Sequence, residues 1–457
     1  MTELCYLPAH TLAERIRRGE VTSVEVWDAY RERIEKLNPQ LGAVVSMDGA
    51  AARRAAEEAD ATLRRGAAVG PLHGVPITLK DGIDVAGLRT TVGTAIFDRT
   101  ADVDSTVAAR LRAAGAIVVG HTNVPPFLSA YTTANPIFGR TGNPWRLDHT
   151  PGGSSGGATA ALAAGLTPLE VGSDLSGSIR LPAHFCGVYG LKPTEHRVPL
   201  SGFLRQPEGT PRSVRIMTAL GPLARDLDDL ALAMRILSGP DWEDTDVPPV
   251  PWRDPAGPRL RDLRLAMAPT LPAAPVSDAV RHRVRQVAEA AADAGAHVEE
   301  RLPALDWDDQ RDLFGSLLTT VLGVFDPGTE LDAEHQRLDT YFTALSRRDV
   351  VIAAWEEFFS GYDALLLPTA MTSAHPEGEQ VMVDGAPVPP MAHGGQLVFA
   401  NLAGLPSLVL PAGLDEQGLP VGVQLVGRRW SEPELLAIAR ELETAEILPG
   451  FQPPPGY

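Results

Sequence analysis

Residues 151–165 read PGGSSGGATAALAAG, a glycine-rich turn running into a helix built almost entirely from alanine and leucine. Glycines this close together, at Gly152, Gly153, Gly156 and Gly157, let backbone amides approach a ligand or an oxyanion without obstruction by Cβ atoms. A phosphate loop is one reading, but no Gly-Lys-Ser/Thr follows and no strand carries a GxGxxG. Gly153-Ser154-Ser155-Gly156-Gly157 also matches the nucleophile elbow of α/β-hydrolases, with Ser155 as nucleophile. That motif needs an apolar strand immediately before it, whereas residues 143–150 are polar and turn-like.

Outward from this turn, Gly172-Ser173-Asp174-Leu175-Ser176-Gly177-Ser178-Ile179-Arg180 is a second run of small residues. Two readings stand: a turn with a capping serine, or a turn whose amides at Leu175, Ser176, Gly177 and Ser178 converge on an oxyanion. A nucleophilic serine also needs a proton acceptor. Val75-Pro76-Ile77-Thr78-Leu79-Lys80-Asp81 offers one, an apolar strand ending on a lysine. Lys80 is either a salt-bridged or snorkelling residue, or a poorly solvated one whose pKa falls from about 10.4 toward that of a base. His73, His121, His149 and His184 lie near these runs and read as structural histidines.

Farther out, helix and strand patterns alternate. Thr22 and Ser23 precede a helix over 24–36 that Asn38-Pro39 should stop, with a strand over 41–46. Ser105 caps a helix carrying Val107, Leu111 and Ala114, closed by Gly115 before a buried strand at 116–119. Ser277 starts another with Val280, Val284, Val287 and Ala291, closed by Gly295 before a strand at 296–299. Later strands are expected at 364–367, 408–410 and 421–426, with a closing helix over 431–442. Such alternation predicts an α/β fold on one core over residues 1–457, with a largely helical part over about residues 1–70. Residues 239–258 and 372–390 are predicted as irregular surface loops.

The chain carries 40 Lys plus Arg against 58 Asp plus Glu, a formal charge of −18 that repels a phosphate backbone and argues against a nucleic-acid partner. Neither an uninterrupted apolar run of membrane length nor a leader-like N-terminus is present, so no membrane partner and a cytoplasmic location are expected. Cys5 and Cys186 have neither disulfide nor metal-ligand spacing and read as free thiols.

Taken together, the Lys-bearing strand, the Gly-Gly-Ser-Ser-Gly-Gly loop and the Gly-Ser-Asp-x-x-Gly-Ser-Ile-Arg segment resemble the amidase signature family. The resemblance extends through Thr122-Asn123-Val124-Pro125, Asn143-Pro144-Trp145, residues 185–194, Gly404-Leu405-Pro406 and Gly422-Val423-Gln424. It implies a large mixed β-sheet covered by helices on both faces. It also implies Ser178 as acyl-forming nucleophile, Ser154 as a bridging serine in a cis peptide, and Lys80 as the base. Ser155, Asp174 and Arg180 would support them, and neither metal nor organic cofactor would be needed. Ser176 stands where the family usually has glycine. The segment after Asn123 would line the substrate approach through Leu128, Ser129 and Tyr131, although Phe127 and Leu128 read equally well as core.

The function implied is hydrolysis of a small linear carboxamide. A second reading is the A-type subunit of a glutamyl-tRNA amidotransferase, which delivers ammonia to a partner; there Lys192-Pro193-Thr194 usually continues differently from Glu195-His196-Arg197-Val198-Pro199. A third is a non-catalytic member of the same scaffold. A homodimer is the base-rate expectation for a soluble enzyme.

Overall fold

The computed structural model describes residues 2–205, 210–272, 274–325, 331–332 and 334–457. Helices Thr2–Tyr6, Ala9–Arg17, Ser23–Leu41 and Gly49–Arg64 dominate the first 70 residues, with one strand at Val44–Met47. The helix from Ser23 begins on a capping box between Thr22 and Glu25 and runs through Pro39 rather than stopping there. Pro39 costs one backbone donor. The chain still completes its last turn, because Gly42 takes a left-handed conformation and its N–H donates to the Asn38 carbonyl at 2.7 Å. Asn38 Oδ1 then accepts from the amides of Ala43 and Val44, both at 2.9 Å, so the strand starts at Val44 and not at Leu41.

Two sheets follow. The smaller orders Val44–Met47, Ile117–Thr122 and Pro76–Lys80, the last two parallel. The larger has eight strands in the order His297–Glu300, Arg264–Met267, Ala364–Pro368, Pro420–Val426, Ser407–Leu414, Tyr189–Lys192, Ala219–Ala224 and Leu169–Asp174. Arg264–Met267 pairs in parallel with both neighbours and the other pairs are antiparallel, which makes the sheet mixed.

Successive side chains of a strand point to opposite faces, and here the two faces feed different apolar clusters. Leu366, Leu408, Leu410, Val423 and Leu425 join helices Leu227–Leu237, Asp278–Asp293 and Glu432–Thr444. Leu365, Leu367 and Val426 meet Trp307–Phe325, Leu338–Phe358 and Val398–Leu402 instead. Helices therefore cover both faces, as expected. The predicted helices after Ser105 and Ser277 occur at Thr106–Ala113 and Asp278–Asp293, and the late strands and closing helix lie within a few residues of their predicted bounds. Residues 239–258 carry no regular element. Residues 372–390 do not remain irregular: Val381–Val383 and Ala386–Val388 form a hairpin, because Val381, Val383 and Val388 bury themselves around Met371.

The strand Pro76–Lys80 of the small sheet packs beside the edge strand Leu169–Asp174 of the large one. Lys80 and Asp174 end these two strands, so the polar centre described below sits at the seam between sheets.

Trp355 anchors the second face. It is fully buried, stacks on Phe399 at a 5.1 Å centroid distance and donates its indole N–H to Gln310 Oε1 at 3.0 Å. Trp355→Ala is expected to cost about 3–5 kcal/mol, read as a lower urea midpoint with an unchanged slope.

Candidate active site

Lys80 is wholly buried, and its environment is made of oxygens. Nζ donates to Ser154 Oγ at 2.8 Å, to Ser173 Oγ at 2.9 Å and to the Ser173 carbonyl at 3.3 Å. Among the described residues no carboxylate bonds it directly. Burial therefore governs its titration and brings it down to about 7, against the opposing pull of Asp174 and Glu170. Ser173 was not singled out from the sequence, although it sits in the motif between Gly172 and Asp174.

Ser154 follows a cis peptide bond from Gly153. The glycines around it serve packing more than ligand approach. A Cβ on Gly153 would lie 2.4 Å from the Ala130 carbonyl, and one on Gly157 2.3 Å from the Asn123 amide. The loop is thus pressed onto its own chain before it enters the helix Gly156–Ala163. Ser155 joins the two serine loops: its amide donates to the Ser178 carbonyl at 3.2 Å, and its hydroxyl reaches the Ser173 carbonyl at 3.5 Å.

Asp174 and Arg180 form a bidentate pair, both fully buried, with Arg180 Nε and Nη2 each 3.0 Å from a carboxylate oxygen. Burial alone would raise the Asp174 pKa, but the Arg180 charge and hydrogen bonds outweigh it and hold the carboxyl well below the usual range. Asn401 completes the unit, donating to Asp174 Oδ1 at 3.0 Å and accepting from Arg180 at 2.6 Å. Its distance in sequence from the motifs hid it.

This pair shapes the turn at 175–178. Asp174 Oδ1 accepts from the Gly177 amide at 2.8 Å, so Gly177 is not one of four free converging donors as expected. The amides of Leu175, Ser176 and Ser178 meet no acceptor among the described residues. The positive φ of the turn falls on Gly177, at 112°, and not on Ser176, so serine is accommodated there. Tyr131 donates its hydroxyl to the Ser176 carbonyl at 2.8 Å and steadies that peptide.

Ser154, Ser173, Ser176 and Ser178 line one pocket. Phe127, Leu128, Leu204, Val214, Leu318 and Leu322 form much of the rest, together with Ser129 and Tyr131. Phe127 and Leu128 are half-buried and line this pocket, and Leu128 also packs against the main apolar cluster. Both hold left-handed conformations, φ 55° and 58°.

The four histidines near the motifs have partners of their own. His121 faces the carbonyls of Arg89 and Ile83, His73 that of Ala59, and His184 those of Gly422 and Thr372, while His149 pairs with Asp148. None lines the pocket. Burial pushes the Cys186 thiol up to about 12, which keeps it protonated and unreactive.

No helix among the described residues is long and apolar enough to cross a membrane. Against families of known proteins, the amidase model matches residues 25–307 and 315–436. Indoleacetamide hydrolase of Bradyrhizobium diazoefficiens is 35% identical, over 94% of this chain and 85% of that protein. The A-type subunit of glutamyl-tRNA(Gln) amidotransferase from Moorella thermoacetica is 34% identical, over 96% of this chain and 97% of its own. Among solved structures, a bacterial aryl acylamidase described as belonging to the amidase signature enzymes superposes with a TM-score of 0.82 at 26% identity, covering 97% of this chain and 96% of that one. On matches of this extent, the chain belongs to the amidase family and is an amidohydrolase.

Proposed function

We propose that the chain hydrolyses a small linear carboxamide to an acid plus ammonia or amine, through an acyl-enzyme on Ser178 with Ser154 as relay and Lys80 as base. The observation that carries this reading is the 2.8 Å contact between Lys80 Nζ and Ser154 Oγ in a buried centre beside Ser178. Neutral Lys80 takes the Ser154 hydroxyl proton as Ser154 takes that of Ser178, whose Oγ bonds to the amide carbonyl carbon. Charge on the carbonyl oxygen is held by the amides of Leu175, Ser176 and Ser178. The proton returns through Ser154 to the leaving nitrogen, the C–N bond breaks, and water repeats the sequence on the ester. Ser155, Asp174 and Arg180 act by fixing the two loops. No step calls for a metal or organic cofactor.

Substrate chemistry follows from the pocket. Among the described residues no charged side chain lines it, and most of its wall is aliphatic or aromatic. Free glutamine carries an ammonium and a carboxylate that would lose their hydration there without partners. An uncharged aryl or alkyl amide is the better fit, in line with the aryl acylamidase and the indoleacetamide hydrolase among similar proteins. The alternative is the role of the amidotransferase A-type subunits among its relatives, in which glutamine is the ammonia source. We also propose that residues 1–457 act as one catalytic unit, since a single apolar cluster holds side chains from Cys5 to Leu448. Our reading assigns it no nucleic-acid or membrane partner, and a homodimer is compatible with it.

Ser178→Ala and Lys80→Met are each expected to reduce hydrolysis of aryl and aliphatic amides by at least about 10³-fold with thermal melting unchanged. Near-wild-type turnover in either variant would remove that residue from the mechanism.

A base titrating near 7 sets the pH dependence: kcat/KM should level off above that pH and fall as pH drops below it, where Lys80 becomes an ammonium. A flat profile from pH 5 to 9 would exclude Lys80 as the group responsible.

Glutamine hydrolysis by the purified chain should be at least about 10²-fold weaker than hydrolysis of an aryl amide. Preference for glutamine, or activity only with an added partner, would favour the amidotransferase reading.

A further inference from the structure

Glu170 is a fully buried carboxyl that the relay does not use. It stands on the strand Leu169–Asp174, between Leu169 and Val171 of the main apolar cluster. Its Oε1 accepts from Thr122 Oγ1 at 2.9 Å, and its Oε2 accepts from Thr78 Oγ1. Thr78 lies two residues before Lys80 on the same strand, and Thr122 is the register partner of Lys80 on the next. The carboxyl is therefore clamped to both strands that position the base.

Around Glu170 the groups are two threonine hydroxyls and one cation, Lys80; Leu223, its partner on the adjacent strand, is apolar. Around Lys80 they are the Ser154 and Ser173 oxygens, Glu170, and Asp174, whose charge is already matched by Arg180. A buried carboxylate without a cation is costly, so charge on Glu170 favours charge on Lys80 and the reverse.

We propose that Glu170 is a positioning residue that retains a proton on Lys80, so that the amine becomes a free base at a higher pH than burial alone would set. This rests on Lys80 being the base. Burial pushes the Glu170 carboxyl up and the Lys80 amine down, toward each other, so the two titrate as a pair. After the pair loses its first proton it exists in two forms. One holds neutral lysine with a protonated carboxyl and can accept a proton from Ser154; the other holds ammonium with carboxylate and cannot. Glutamine at position 170 removes the second form. With no negative charge to stabilise the ammonium, neutral lysine then appears at lower pH.

The test is the pH dependence of Ser178 labelling by a fluorophosphonate, which needs no known substrate, in wild type, Glu170→Gln, Thr122→Val and Lys80→Met. Glu170→Gln should move the midpoint of the acid limb at least about half a unit toward acid. Thr122→Val, which strips a donor from the carboxylate, should move it the same way by less, and it stands in should Glu170→Gln not fold. A midpoint that stays put while the rate falls equally at every pH, or one that moves upward, overturns the proposal. Labelling absent in wild type, or undiminished in Lys80→Met, overturns the lysine base itself and this inference with it; Lys80-dependent labelling with unmoved midpoints removes Glu170 alone.

Discussion

The desolvation of one lysine organises this molecule. An ammonium taken out of water loses several kcal/mol of hydration, and among the described residues its direct contacts here are hydroxyl and carbonyl oxygens of Ser154 and Ser173. A direct carboxylate partner would have paired the charge and left no base. Asp174 is near enough to act on Lys80, but it is turned to Arg180 and to the amides of Gly177 and Ile179. That diversion serves two ends, sparing the lysine a strong counter-charge and fixing the turn beside Ser178.

Two sheets are needed to hold such a centre. Lys80 comes from the small sheet, Ser173 and Asp174 from the edge of the large one, and Ser154 from a loop pressed against residues 130–132. Apolar clusters on the two faces of the large sheet keep these pieces in register. The helix Trp307–Phe325 belongs to the second cluster and also gives Leu318 and Leu322 to the pocket, so the core packing on that side reaches the substrate wall directly.

Chemistry and specificity are separated in this arrangement. The proposed relay is polar and buried, and it sets one long side chain, Lys80, against serines that lose little rotamer freedom when fixed. The pocket beside it is largely apolar, and Phe127 and Leu128, both in left-handed conformations, are among the residues that line it.

What the sequence by itself determined is whatever depends on short-range pattern. Glycine closures at Gly115 and Gly295, the caps at Thr22 and Ser105, and apolar runs such as Leu408 to Leu410 marked the elements. The spaced motifs around Lys80, Ser154 and Ser178 pointed to residues that the fold gathers at one candidate site. Only the tertiary structure decided the rest. Asn401 and Glu170 act through contacts with residues distant along the chain, and nothing local distinguishes them from other buried polar groups. Pro39 was read as a stop because the rule for proline is local, whereas Asn38 and Gly42 carry the helix past it. The Gly177 amide looked like a free donor until the Asp174 carboxylate was placed against it, since a hydrogen-bond partner is a fact of three-dimensional position and not of spacing.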